Sequence, residues 1–537
     1  MRAAEVIVRC MEREGVEVVF GYPGGAVLPL YEALRTASFQ HILIRQEQAA
    51  VHSASGYARA TNKVGVAVGT SGPGATNLVT GIATAYMDSI PIVIFTGQVK
   101  TSAMGRDAFQ EVDITGATEP FTKHSYLVKD ASQLPRIIRE AFHIAHTGRP
   151  GPVLIDLPVD VQQASIDLEY PETVSIRGYH PTVRGHVGQI KRALRRIRTS
   201  RRPLICVGGG VVRSDACDIF RDFVSQTHIP VIHTLMGIGA LPTRHPYYIG
   251  MIGSHGYPYA NKAIGHSDLL IVVGARIADR ATAGVGVFAK NADVIHIDVD
   301  PAEIGKNLGA LIPVVGDAKN ILESLAAGAE PLDTAPWLTE IHEWKASYTP
   351  RRSEGLAGID PVQAFQSLGK YVSADAILTA DVGQNQIWAA RNFPMGSKHR
   401  FFTSGGLGTM GYGLPAAVGA KIGAPQTQVV AVVGDGGFQM SLHELGTIRQ
   451  NQLDITILLF NNQRLGMVRE LQENSFGQPF GIELAESPDF QLIAKAYGIH
   501  ARRTESQAEF EEALGECLSR RGPNLIECIV DPKTSTL

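Results

Sequence analysis

Cysteine is scarce in this chain. The five present, Cys10, Cys206, Cys217, Cys517 and Cys528, are scattered and odd in number, with no C-x-x-C pair and no Cys/His spacing of a metal site. That excludes a disulfide framework and a structural zinc, and it points to a reducing, cytoplasmic setting. No apolar run approaches the ~18 residues that a membrane span needs. Met1 to Gly15 mixes charges with its apolar residues and reads as an amphipathic helix, not as a signal peptide. An excess of one charge is missing too: 49 Lys+Arg against 52 Asp+Glu leaves −3 over 537 residues. Such a balance suits neither a nucleic-acid-coating protein nor a membrane-surface protein. Charged residues are only 19 % and apolar ones 44 %, so long disordered tracts are excluded.

What the chain has in plenty is glycine, 56 residues. The glycines cluster beside short apolar runs, as expected where backbone approaches phosphates and cofactors. Runs such as Val64–Val68, Pro91–Phe95, Val153–Leu157, Leu204–Val207, Leu269–Val273, Val294–Ile297, Val429–Val433 and Ile455–Phe460 are apolar at nearly every position. That pattern fits strands buried on both faces of parallel sheets, and alternation with helical stretches predicts an α/β protein. Two polar stretches, about 162–199 and 330–358, read as linkers. The expectation is three doubly wound parallel-sheet domains, roughly 1–163, 185–328 and 355–537, with no strict internal repeat.

The most informative motif is Gly434-Asp435-Gly436-Gly437, directly after the predicted strand Val429–Val433. A helix over about Met440–Arg449, a second strand and Asn461-Asn462 follow. One right-handed crossover then brings Asp435 and Asn462 to the carboxyl ends of neighbouring parallel strands, ~4.8 Å apart. A carboxylate and an amide oxygen so placed can share one hard cation such as Mg²⁺, which keeps phosphate oxygens as further ligands. Taken singly, Asp435 also reads as a helix cap and Asn461-Asn462 as a turn. The pair at this spacing resembles the thiamine-diphosphate signature. The resemblance implies that Asp435, Asn462 and the carbonyl of Arg464 hold Mg²⁺, and that Gly434, Gly436 and Gly437 border the diphosphate.

Thiamine chemistry needs a carboxyl group that exchanges a proton with the pyrimidine ring. Glu47 is the candidate: it follows the strand His41–Ile44 and opens a helix among the small residues Ala49, Ala50 and Val51. Gly21-Tyr22-Pro23-Gly24-Gly25-Ala26, Glu47-Gln48-Ala49-Ala50, Gly56-Tyr57-Ala58-Arg59-Ala60 and Ser71-Gly72-Pro73-Gly74-Ala75-Thr76-Asn77 occur in order. Together they are similar to the pyrimidine-binding domain of the acetolactate (acetohydroxyacid) synthase large subunits. That family decarboxylates pyruvate and joins the two-carbon unit to a second 2-keto acid in branched-chain amino acid biosynthesis. The resemblance implies a homodimer or tetramer with active sites between chains, and a small regulatory subunit as partner. It also implies site residues. Glu47, Gly25, Phe109, Gln110 and Lys123 belong to the catalytic set, the last three from Asp107-Ala108-Phe109-Gln110-Glu111 and Lys123-His124. Pro23, Asn77, Gly383, Gln384, Gly408 and Met410 contact the thiamine cofactor, with Met410 bending it.

The middle region carries Gly208-Gly209-Gly210, Gly253-Ser254-His255-Gly256, Gly274-Ala275-Arg276 and Ile297-Asp298-Val299-Asp300. Glycine turns at strand ends suggest a dinucleotide across a parallel sheet, although none is a G-x-G-x-x-G. The resemblance implies FAD in a structural role, touched by Arg149, Gly209, Gly210, His255, Gly274, Arg276, Asp298 and Asp317. Arg280 and Leu471 are implied at the acceptor substrate. The chain departs from the family at Ile277-Ala278 (Phe-Asp), Glu470-Leu471 (Gln-Trp), Gln46 and Asn385 (both His), and in its short tail to Leu537. Leu471 in place of Trp predicts a weaker preference for 2-ketobutyrate over pyruvate. A thiamine-dependent decarboxylase or carboligase with another acceptor is the alternative.

Overall fold

The apolar runs form strands buried at nearly every position. The computed structural model describes residues 1–282, 288–349 and 355–536. They make three six-stranded sheets. The first contains β1 (Val18–Gly21), β2 (Gln40–Leu43), β3 (Gly65–Gly69), β4 (Ile92–Gln98), β5 (His124–Leu127) and β6 (Pro152–Pro158), ordered β2-β1-β3-β4-β6-β5. The second contains β7 (Pro203–Val207), β8 (Val231–His233), β9 (Tyr248–Met251), β10 (Leu269–Val273), β11 (Asp293–Asp298) and β12 (Ile312–Val315), ordered β12-β11-β10-β7-β8-β9. The third contains β13 (Ile377–Ala380), β14 (Arg400–Thr403), β15 (Val429–Gly434), β16 (Ile455–Asn461), β17 (His500–Thr504) and β18 (Asn524–Ile529), ordered β14-β13-β15-β16-β18-β17. Neighbouring strands run parallel in all three.

The third sheet repeats the strand order of the first, a repeat that the sequence does not show. The second, taken from its β9 edge, has the order typical of dinucleotide-binding domains. In each sheet the winding reverses beside the first strand: between β1 and β3, between β7 and β10, and between β13 and β15; in the first and third sheets the last strand also turns back, inside β5 and β17. Loops leaving the carboxyl ends of such a pair diverge and open a crevice, the usual ligand site of an open α/β sheet.

Both stretches read as linkers carry a helix that packs on the second sheet. Helix Val187–Arg198 buries Ile190, Ala193 and Ile197, spaced three and four apart between its basic residues. Helix Ala335–Ala346 buries Trp337 and Ile341, and the Trp337 indole N–H donates to Pro203 O at 3.0 Å. Few side chains of each helix are fully buried, and Leu194, Leu338 and Trp344 pack only partly, so its polar face dominated the composition. The helix after the glycine motif also differs from expectation. It starts at Asp435 itself (Asp435–Ser441), tightens at Leu442–Glu444, and resumes as Leu445–Gln450.

The first and third units share one core, in which Phe20, Ala54 and Leu78 join Leu414, Phe438 and Ile457. Helix Glu47–Thr61 crosses helix Gly413–Gly423 with backbones in contact. A Cβ on Gly56 would stand 2.0 Å from Ala416 O, and one on Gly419 would stand 1.7 Å from Ser53 O. Only glycine permits that approach.

Candidate active site

The crevice between β13 and β15 gathers the predicted diphosphate and metal residues. Gly434 ends β15 and precedes the helix opened by Asp435. The Asp435 carboxylate is 2 % exposed. Its Oδ1 accepts the Gly436 N–H at 2.9 Å, while the buried Oδ2 has no partner. Burial pushes this carboxyl up to about 6 despite nearby backbone N–H groups. A buried acceptor left unpaired is costly, so this oxygen fits a bound cation. Among the described residues no group of three His, Cys, Asp or Glu lies together. A site of one carboxylate with amide and carbonyl oxygens is therefore the arrangement on offer. Asn462 leaves the end of β16, next to β15. Its Nδ2 donates to Gln384 Oε1 at 2.8 Å, and its Oδ1 accepts the Arg464 N–H at 3.1 Å. Gly383 precedes the helix Gln384–Asn392. Met410 Cε comes within 3.5 Å of the position a Cβ on Gly436 would take, which places this side chain beside the Asp435 turn. Gly408, two residues earlier, has φ +76° and faces open space.

Asp381, which the sequence reading passed over, organises this crevice. It is fully buried and accepts the N–H groups of Val382 (2.6 Å), Gly411 (3.0 Å) and Gly413 (3.3 Å). A Cβ on Gly437 would press it at 3.0 Å. Burial pushes its pKa up to about 7. One carboxylate thus ties the Met410 loop to the turn that carries Asp435. Asp381→Ala is expected to lower stability by about 2–4 kcal/mol, because two glycine N–H groups lose their acceptor inside the protein. Chemical denaturation measures this, and an unchanged midpoint would reject the role. Glu470 is the second organiser: it accepts Gln384 Nε2 at 2.5 Å and the N–H and hydroxyl of Thr536 at 2.8 and 2.6 Å. Its signal in the sequence was the departure from Gln.

The crevice between β1 and β3 gathers the residues predicted for proton transfer and substrate contact, apart from Lys123. Glu47 opens its helix after β2, 9 % exposed, with Oε2 accepting Asn77 Nδ2 at 2.9 Å. Oε1 turns to Gly74, where a Cβ would stand 3.3 Å away. Pro23 lies exposed in the loop after β1, and Gly25 opens onto free space. Gln110 packs on Gly72 in a left-handed conformation, φ +61°. The Phe109 ring beside it is 87 % exposed.

Lys123 is placed differently from the expectation that it faces substrate. Its ammonium donates to Ile144 O, to Thr147 O at 2.7 Å and to Tyr179 OH at 3.0 Å. Helix Leu134–His146 ends there, and its last carbonyls need donors. Burial, with Arg149 nearby, pulls the ammonium down to about 8. No hydrogen bond or ion pair joins Glu47 to Asp435, Asn462 or Gln384 among the described residues.

A cavity of about 610 Å³ opens at the crevice of the second sheet. Arg149, Gly209, Gly210, His255, Gly274, Arg276, Arg280, Asp298 and Asp317 all line it. Gly208 and Gly210 meet Gly274 backbone to backbone, where a Cβ would stand 2.3 to 2.7 Å from it. These glycines let the loops after β7 and β10 cross. Arg149 pairs with Asp300 at 3.2 Å and Glu303 at 2.9 Å. Burial pushes Asp298 up to about 6. Asp317 caps helix Ala318–Ala326. Ile277 packs into the core, which accounts for an apolar residue there. Arg280 is 70 % exposed at the rim, and Leu471, on helix Gly466–Phe476, is 43 % exposed.

The chain matches three consecutive descriptions of one family. These are the thiamine pyrophosphate enzyme N-terminal TPP binding domain over residues 1–117, the central domain over 190–325, and the C-terminal TPP binding domain over 381–528. It is 47 % identical to the probable acetolactate synthase large subunit of Methanocaldococcus jannaschii, over 99 % of this chain and 92 % of that protein. Against the acetolactate synthase isozyme 3 large subunit of Escherichia coli K12 the identity is 44 %, over 97 % and 92 %. Against the isozyme 2 large subunit of that organism it is 43 %, over 99 % and 96 %.

Proposed function

Since this chain belongs to the thiamine pyrophosphate enzymes, among the acetolactate synthase large subunits, we propose that it condenses two 2-keto acids, with pyruvate as donor, to 2-acetolactate. The observation that carries the reading is the pair of crevices with complementary equipment. One has a buried carboxyl poised by Asn77, and the other has a carboxylate with an unpartnered buried oxygen. Thiamine diphosphate, when bound, supplies the electron sink that lets a 2-keto acid lose CO₂. Glu47 moves a proton at Oε1, while Asn77 holds Oε2 and fixes the carboxyl plane. Asp435, Asn462 and the Arg464 carbonyl would hold Mg²⁺, which anchors the diphosphate between Gly383-Gln384 and Gly434–Gly437. Met410 and Gly408 shape the wall above Gly436. Gly25, Phe109 and Gln110 cover the reacting end and exclude water, and Arg280 meets the acceptor carboxylate at the rim.

Two copies of the chain would complete the site. Tyr22, Leu28 and Phe109 near the first crevice, and Leu407, Met440, Leu471, Phe476 and Phe480 near the third, are exposed apolar side chains. Covering them against a second copy would bring one chain's Glu47 to the other's Asp435. The relatives' name of large subunit supports a small regulatory partner as well. The central cavity, built at the crevice of a dinucleotide-type sheet, suits FAD in a structural role. Among the described residues no helix is long and apolar enough to cross a membrane. All five cysteines are free, which supports a cytoplasmic location.

The test is product analysis with pyruvate, thiamine diphosphate, Mg²⁺ and FAD. Acetoin that appears only after acid treatment identifies acetolactate. CO₂ with acetaldehyde or another adduct would transfer the reading to a different acceptor, and no CO₂ with cofactor bound would overturn it. The half-exposed Leu471 bears on acceptor choice. Leu471→Trp is expected to raise the preference for 2-ketobutyrate over pyruvate by about 5- to 150-fold, the ~1–3 kcal/mol of one apolar contact. A two-substrate competition assay that shows no change would remove Leu471 from the acceptor pocket.

A further inference from the structure

The arginines on the inner wall of the central cavity are unequally matched. Arg59, Arg213 and Arg276 all lie toward the buried carboxylate Asp88, and Arg276 also has Glu303 and Asp298 nearby. Asp88 is already committed: it takes Arg59 Nη2 at 3.0 Å and the N–H groups of Gly405 and Gly406 at 3.3 and 2.7 Å. Arg59 spends its other Nη on Thr403 O at 2.8 Å. Farther along the cavity, Arg149 has its own carboxylates in Asp300 and Glu303.

Arg213 has none of this. It ends the helix Gly209–Arg213 on the β7 side, and among the described residues its guanidinium has no hydrogen-bond, ion-pair or ring partner. Arg276 also makes no side-chain hydrogen bond there. The surrounding wall includes Met236, Ile387, Phe401 and Phe402. Burial pulls the Arg213 pKa down to about 10, so the group stays charged at neutral pH. Five donors and a full charge without an acceptor are expensive in such a place, and a guanidinium fork matches a phosphate bidentately.

We propose that Arg213 is a phosphate-binding residue of the central cavity. It grips the diphosphate of the bound dinucleotide from the β7 side while Arg276 approaches from the β10 side. Two guanidinium groups that make no hydrogen bond among the described residues then meet the two negative charges of a diphosphate. This rests on the reading of the cavity as a dinucleotide site and adds what selects the ligand there: the phosphates, with the flavin ring contributing shape. Riboflavin, which has no phosphate, gains nothing from Arg213.

The experiment titrates the full-length wild type, Arg213→Gln and Arg213→Lys with FAD, ADP and riboflavin, and records the melting temperature of each protein without ligand. Arg213→Gln is expected to weaken FAD and ADP by about 10- to 100-fold and leave riboflavin unchanged. Arg213→Lys should recover part of the loss. Without ligand, Arg213→Gln should melt no lower than wild type, because an unmatched charge has been removed. If it does melt lower, Arg213→Lys, which keeps the charge and the stem, decides on FAD against riboflavin. Undiminished FAD affinity in Arg213→Gln overturns the proposal, as does an equal loss for riboflavin. Wild type that binds neither FAD nor ADP overturns the dinucleotide reading and this assignment with it.

Discussion

Glu47→Gln is expected to reduce turnover of pyruvate by about 100- to 10,000-fold, the range for loss of a positioned proton-transfer group. The affinity for thiamine diphosphate should stay within a few-fold of wild type. Glutamine has the shape of glutamate and still accepts the Asn77 amide, which now meets Glu47 Oε2 at 2.9 Å. The helix that Glu47 opens is anchored elsewhere, by the Gly56 crossing and the Arg59–Asp88 pair at 3.0 Å. The substitution therefore removes a proton site and little else. Steady-state kinetics combined with cofactor titration separates the two effects. Wild-type turnover would remove Glu47 from proton transfer, and loss of cofactor binding with unchanged turnover at saturation would make it a binding residue only.

Asp435→Asn carries two expected effects of opposite sign. With thiamine diphosphate and Mg²⁺, the metal-dependent affinity should fall by about 100-fold or more, because a hard cation loses its anionic oxygen. Without ligands the variant should be more stable than wild type at neutral pH. Burial raises the folded pKa of Asp435 to about 6, above the ordinary carboxyl value. The folded state then binds more protons than the unfolded state between about pH 4 and 6. The stabilising contribution of the protonated carboxyl is full below about pH 4 and is lost as pH rises through about 6. Keeping the ionised carboxylate buried at neutral pH therefore costs the wild type about 2–3 kcal/mol. Asparagine keeps the acceptor for the Gly436 N–H and never ionises, so its advantage should be absent near pH 4, grow as pH rises and be full above about pH 6. Melting curves across that range, with and without Mg²⁺ and cofactor, check both effects. A variant less stable at pH 7 without ligand, or cofactor affinity equal to wild type, would reject the site.

The strands were legible in the sequence because burial on both faces demands continuous apolar runs, and Val429–Val433 and Ile455–Phe460 match β15 and β16 within one residue. The glycine motif with Asp435, and Asn462 one crossover later, was legible because each needs a fixed chemistry at a fixed spacing. Helices Val187–Arg198 and Ala335–Ala346 were not, since a few apolar side chains specify each and the polar faces outnumber them. Asp381 was missed because its partners, Gly411 and Gly413, lie thirty residues away. The partners of Lys123 were not legible, because its neighbours in the chain do not reveal the carbonyls of Ile144 and Thr147 that take its protons.

By itself, then, the sequence determined the class of fold, the family and the residue types at the crevices of the first and third sheets, since periodicity, turn chemistry and motif spacing are local properties. The tertiary structure decided what depends on distant segments meeting. It showed that the first and third units have one strand order and one core, that Glu47 and Asp435 share no hydrogen-bond partner among the described residues, and that Arg213 is left facing a cavity with no carboxylate of its own. Those are outcomes of packing and charge balance, which are summed over contacts far apart in the chain and leave no pattern along it.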